Sequence, residues 1–145
     1  MKDSAVIMIP SHPKFLSVIR AVTFKMCELS DMDNSAIEDV KLAVDEACSN
    51  IIKHAYKGDT NKKIIVRFKM TCKGFEVIID DDGLKAQPAL MEGRRLDDIR
   101  PGGLGIHLIK RAFDVYAFDD KKKKGNRLRL IRNRKGKNED RDRRL

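Results

Sequence analysis

One run constrains this chain more than any other. Between Ser35 and Tyr56 the sequence reads as a single long amphipathic helix. Ile37, Val40, Val44, Ala47 and Ile51 recur at helical spacing and form an apolar stripe that needs a core to face. Glu46, Asn50 and His54 stand at i, i+4 and i+8, which puts a carboxylate, an amide and an imidazole on one helix face. A helix with one greasy stripe and one line of chemically useful groups reads as the wall of a binding site. Ser35 followed by Glu38 has capping-box spacing and predicts the helix start. Lys57-Gly58-Asp59 ends it.

The remaining patterns surround that helix with a sheet. Ser4–Ile9 is a short apolar run ended by Pro10, read as a first, edge strand rather than a signal peptide. His12 to Leu29 predicts a helix with Phe15, Val18, Ile19, Val22, Met26 and Leu29 on its apolar face. Ile64–Met70 and Phe75–Asp80 read as strands joined by a turn at Lys73-Gly74. Residues 82–100 mix Gly, Pro and charge, with a helical turn expected near Pro88–Met91, and read as a mobile lid. Leu104–Phe113 predicts a third helix. Val115–Phe118 and Asn126–Ile131 close the chain as a hairpin around Lys121–Gly125. The order β-α-α-β-β-lid-α-β-β implies a layer of helices on one face of a mixed sheet.

The net charge of +9 is unevenly placed. Residues 121–145 hold 13 Lys/Arg against 3 Asp/Glu, whereas residues 1–120 are close to neutral. The tail RNRKGKNEDRDRRL has almost no apolar residue and is expected to be disordered. It lacks an aromatic residue to stack on a base, so a solvated tail is preferred over a nucleic-acid site. The 145 residues are one domain's worth. No stretch approaches the roughly 20 apolar residues of a membrane span. Cys27, Cys48 and Cys72 are widely spaced and odd in number. They read as reduced core residues of a cytosolic protein, not a disulfide framework or a zinc site.

Three short motifs follow one another along the chain: Glu46 to Tyr56, Ile79-Asp80-Asp81-Asp82-Gly83, and Gly102-Gly103-Leu104-Gly105 running on to Ile109. In that order they resemble the GHKL nucleotide-binding superfamily of gyrase-type, chaperone and mismatch-repair ATPases and histidine kinases. Within it the chain most resembles the small anti-sigma-factor serine kinases. Their boxes E-A-x-x-N-x-x-x-H-A-Y, apolar-x-D-x-G and G-G-x-G-apolar-x-apolar-apolar are matched here at every fixed position. Each box alone is unspecific; three in order and spacing are not. The likeness spans about residues 4–132. It implies an α+β two-layer sandwich with a mixed, mostly antiparallel sheet and helices on one face. A kinase domain would cover residues 1–132 and a basic tail residues 133–145.

The resemblance also implies the chemistry. It assigns ATP and Mg2+ as cofactors, with the Asn50 amide oxygen on the metal beside phosphate oxygens. Glu46, one turn earlier, takes or orients the proton of an attacking hydroxyl. Asp81 ends a buried strand, where a carboxylate needs a donor, and the adenine amino group is one. Gly83 lets the backbone approach the base or turn with positive φ. Asp-Asp-Gly is also ordinary turn chemistry, and the two readings are compatible. Lys85 stands where many relatives have a second glycine. Gly102, Gly103, Leu104, Gly105 and Ile106 would present backbone N–H groups to phosphate at a helix start. Arg100 either reaches the terminal phosphate or is a solvated lid residue. Lys53 either meets a phosphate or is solvated, and a structural role at the helix end is favoured for His54. His107 is given no chemical role.

The activity so implied is that of an ATP-dependent protein-serine kinase and anti-sigma-type regulator. Its substrate would be a serine on a STAS-domain anti-sigma antagonist, and a sigma factor is a second implied partner. Relatives are often homodimers, and no motif here fixes the oligomeric state. The absence of a phosphoacceptor helix pair argues against a complete histidine kinase. The other open reading is a nucleotide-binding module that sequesters a partner without efficient phosphoryl transfer.

Overall fold

A computed structural model describes residues 3–86 and 105–134. Strand β1 (Ser4–Pro10) leads through a 3-10 turn (Pro13–Phe15) into α1 (Leu16–Leu29) and α2 (Asn34–Asn50). A π-helical stretch (Ile51–Ala55) prolongs α2. Then come β2 (Lys63–Thr71), β3 (Gly74–Asp81), α3 (Gly105–Ala112), β4 (Val115–Phe118) and β5 (Asn126–Asn133). The sheet order is β1-β2-β3-β5-β4, with every pairing antiparallel. The first strand is an edge strand, as its Pro10 and short length predict. Residues 87–100 of the expected lid, including Pro88–Met91 and Arg100, lie outside the described residues, as does the tail from residue 135.

Alternation along the strands decides which sheet face is covered. In β2, Ile64, Val66 and Phe68 are buried while Lys63, Arg67 and Lys69 are exposed. The register continues one apolar row across the sheet: Ile7 opposite Val66, Val66 opposite Ile79, and Ile79 opposite Leu128. Helix residues Ile19, Val40, Val44, Ala47 and Ile109 pack in the same core. Phe68, with its ring 6.3 Å from that of Phe75, is the largest fully buried side chain among the described residues. Full burial of such a ring is worth about 1.5–3 kcal/mol. The uncovered face carries Val6, Met8 and a lattice of charges, among them Arg129–Glu76 at 2.9 Å.

Two local expectations are corrected. Asp33, not Ser35, caps α2: its carboxylate accepts from the Ala36 N–H at 2.8 Å, and the helix begins at Asn34. Ser35 is exposed within the first turn. Asp and Ser are comparable cap residues, and here the earlier one reaches the free N–H. Cys27 and Cys48 are buried, but Cys72 is exposed at the β2–β3 turn. Burial pushes the thiols of Cys27 and Cys48 up to about 12.

Candidate nucleotide-binding site

The C-terminal half of α2 forms one wall. Its apolar stripe fixes the rotation of the helix, so Val44, Ala47 and Cys48 are buried while Glu46 and Asn50 are half-buried at the edge. Neither the Glu46 carboxylate nor the Asn50 amide has a hydrogen bond among the described residues. Asp45, their neighbour, is committed elsewhere: it pairs with Arg20 of α1 at 2.7 Å. Beyond Asn50 the backbone widens to i→i+5 bonds, with the Tyr56 N–H donating to the Ile51 carbonyl at 2.9 Å. Such stretches recur at functional sites. The widening breaks the uniform spacing that puts His54 in line with Glu46 and Asn50. Both Lys53 and His54 are exposed.

The same widened turn frees the Ala55 carbonyl, which accepts the Leu84 N–H at 2.8 Å. A Cβ on Gly83 would overlap that Ala55 backbone, so the loop after β3 lies directly on the helix end. Gly83 is needed for this close approach, not for a positive φ. Tyr56, buried beneath, braces the corner. Its hydroxyl donates to the Lys63 carbonyl and accepts the Asp82 N–H at 2.8 Å. Burial foremost holds its phenol above the ordinary value of 10.0.

Adjacent aspartates at the end of β3 face opposite ways. Asp80 lies on the uncovered face, against Arg127 at 2.8 Å and Lys122 at 3.3 Å. With Lys63 and Arg67 they line a small cleft of about 120 Å³, on the other side of the sheet from Glu46 and Asn50. Asp81 is only 2% exposed, on the helix-covered face. Its Oδ1 accepts the Gly83 N–H at 2.8 Å, a turn closed by the side chain. The Asn126 amide donates to Oδ1 at 3.0 Å and Oδ2 at 3.2 Å. A carboxylate has about four acceptor positions, so these contacts leave Asp81 room for one more donor. Burial, the largest influence, raises its acid above the ordinary 3.8, and the Gly83 N–H, Asn126 and Lys122 oppose that rise. A groove of about 620 Å³ opens beside the loop, between Ala55, Gly83 and Leu84 and the lysines Lys57, Lys85 and Lys124.

The third wall is the start of α3. Gly105 and Ile106 are buried there, and a Cβ on Gly105 would overlap Glu46 Oε1. Glu46 at one end of the α2 edge thus meets α3, and Ala55 at the other meets the Asp81 loop. Asn50 lies between them along the helix.

Comparison with known proteins fits this geometry. The family described as histidine kinase-like ATPase domain matches residues 9–132. The chain belongs to the histidine kinase-like ATPase family. It sits there among serine-protein kinases. Serine-protein kinase RsbW of Bacillus subtilis (strain 168) is 32% identical over 114 residues, 73% of this chain and 71% of that protein. RsbW of Listeria innocua is 31% identical over 122 residues, 79% of this chain and 78% of that protein. The solved chain with the RsbU and RsbW domains of Rv1364c from Mycobacterium tuberculosis contains the same fold, with a TM-score of 0.63 at 15% identity. That match covers 89% of this chain, which spans only 31% of the longer one.

In this family member, Glu46, Asn50, Asp81, Gly83, Gly105 and Ile106 gather along α2, and Lys53 is exposed on the same segment. Arg100, Gly102, Gly103 and Leu104 lie outside the described residues. Sequence reasoning missed Asn126 and Lys122. Lys122 bridges the Asp81 carbonyl at 2.8 Å, the Asn126 carbonyl at 3.2 Å and the Asp80 carboxylate. In sequence, KKKKGN reads only as a turn; the signal for Asn126 is a polar residue opening an otherwise alternating strand. Among the described residues no helix is long and apolar enough to cross a membrane.

Proposed function

We propose that this serine-protein kinase uses MgATP to phosphorylate a serine on a STAS-domain antagonist, and that it acts in the cytoplasm as an anti-sigma-type regulator with a sigma factor as its other partner. The observation that carries the reading is the pair Glu46 and Asn50 on one helix edge, without a hydrogen bond among the described residues and bounded by Gly105 at one end and the Asp81 loop at the other. The donor set fits the nucleotide. Asp81 keeps an acceptor for the adenine amino group, and the tight Gly83 turn seals the pocket behind it. Asn50 offers one neutral oxygen, suited to a Mg2+ that takes its other ligands from phosphate and water. Bound there, the metal offsets phosphate charge and aligns the transferred group.

Glu46 then lies at the phosphate end, because Gly105 opens the helix whose start would receive phosphate. Its carboxylate takes or orients the proton of an incoming serine hydroxyl. Gly102, Gly103, Leu104 and Ile106 complete the phosphate cradle, with Arg100 at the terminal phosphate and Lys53 at its exposed rim. Residues 1–132 form the kinase domain and the basic tail serves outside it. The test is transfer of labelled phosphate from ATP to STAS-domain proteins of the same genome, alongside calorimetry with MgATP. Transfer to a serine on one of them is expected. Binding without transfer to any of them would reduce the protein to a nucleotide-regulated binding module, and no binding at millimolar MgATP would overturn the site.

A further inference from the structure

Asn126 spends its whole side chain on the Asp81 corner. It opens β5 directly opposite Asp81 and is 6% exposed. Its amide nitrogen donates to both Asp81 oxygens and to the Leu84 carbonyl at 2.9 Å, and its amide oxygen accepts the Ala86 N–H at 2.7 Å. The orientation of the amide is dictated by its partners, since a carboxylate and a carbonyl only accept and a backbone N–H only donates. Both N–H groups are therefore engaged within the corner, and the oxygen already accepts from the backbone of Ala86.

We infer that Asn126 is a positioning residue for base selection, one amide that fixes the Asp81 carboxylate and ties residues 84–86 of the pocket lip to it as a single unit. The inference rests on the reading that Asp81 receives the adenine amino group. Two consequences follow from the geometry. With Gly83 and Asn126 already donating to it, Asp81 keeps an acceptor and no donor, so a base presenting an amino group there is favoured over one presenting a carbonyl. Asn126 is also a donor to the ionised carboxylate, in surroundings that burial makes hostile to charge. Removing it makes Asp81 easier to protonate, so nucleotide affinity is lost at a higher pH than in the wild type.

The experiment titrates full-length wild type, Asn126→Ala and Asn126→Ser with MgATP and MgGTP by calorimetry between pH 5 and 8. Amide exchange at Ala86 is followed in parallel. Loss of hydrogen bonds to a charged group weakens ATP roughly ten- to a hundred-fold in Asn126→Ala. The ATP-over-GTP preference is expected to shrink, the acid midpoint of binding to move up, and Ala86 to exchange faster. Asn126→Ser keeps one donor to Asp81 but loses the bridge to residues 84–86. It is expected to recover part of the affinity and the midpoint without slowing Ala86 exchange. Wild-type affinity, preference and midpoint in a folded Asn126→Ala protein would overturn the inference and leave the nucleotide site standing. Should Asn126→Ala not fold, Asn126→Ser decides by the same readouts. A wild type that binds no ATP overturns the underlying reading, and the inference with it.

Discussion

Glu46 occupies the space that a side chain on Gly105 would need. The contact joins the C-terminal half of α2 to the first residue of α3, and so couples a site residue to the helix that would carry the phosphate cradle. A Cβ there would meet the Glu46 side chain from Oε1 back to Cγ, so any larger residue forces that side chain to move.

Gly105→Ala is accordingly expected to push Glu46 aside and strain the α2–α3 contact. Overpacking of this kind costs about 1–3 kcal/mol, read as a lower melting temperature, and transfer activity falls as Glu46 is displaced. Shortening the opposing side chain separates the two effects. In the Gly105→Ala/Glu46→Ala double variant, stability returns toward that of Glu46→Ala alone while activity does not. A double-mutant cycle with no coupling between the positions would contradict the contact.

Glu46→Gln and Asn50→Ala divide the proposed chemistry. Glu46→Gln preserves size and helix propensity and removes the proton acceptor. It is expected to keep ATP affinity and to lose transfer by ~10²-fold or more if proton abstraction limits the rate. A small loss would assign Glu46 to orienting the hydroxyl, since a loose phosphoryl transition state asks little of a base. Asn50→Ala is expected to weaken ATP only when Mg2+ is present. Affinities measured with and without the metal decide it.

The fold was more legible than the fine structure of the site, and particular residues show why. Strand alternation and the α2 stripe are local periodicities, so β2, β3 and the buried face of α2 could be read directly. The buried strand end and turn at Asp81 were legible because turn chemistry follows an apolar run within five residues. Asn126 was not, because its partner lies 45 residues away and only the β3–β5 register brings them together. The π-helical stretch was hidden for another reason: spacing arguments assume one helical period, and the sequence through Ile51–Ala55 gives no sign of changing it. Cys72 was misplaced because an apolar neighbourhood in sequence is not burial when the chain turns there.

The three thiols are expected to divide two against one. Cys27 and Cys48 are fully buried with their acids pushed up to about 12, so neither supplies thiolate at neutral pH. Cys72 alone is exposed. A thiol-reactive dye should modify one cysteine quickly in the native protein and three in denaturant. Cys72→Ser should abolish the fast phase without lowering kinase activity. A second fast thiol in native protein would mean that the α1–α2 core opens readily.

Asp81 sets opposite pH trends for stability and for binding. Its acid is raised above 3.8 by burial, so ionisation is less favourable folded than unfolded. Below 3.8 both states hold the proton and this group costs nothing. As pH rises from there through the higher folded value, the unfolded state ionises first and stability from this group declines, then levels off. Asp81→Asn removes the titration and is expected to melt no lower than wild type near neutral pH. Nucleotide affinity runs the other way, because an ionised Asp81 accepts from adenine and a protonated one competes with its own hydrogen. ATP affinity of the wild type should therefore drop on acidification, with a midpoint above 3.8. Asp81→Asn should bind weakly at every pH and supply the baseline for titration of the nucleotide itself. Calorimetric titration across that range, with thermal melts of both proteins, measures the two trends together. Equal ATP affinity in the two proteins would remove Asp81 from the base-binding site, whatever the melts show.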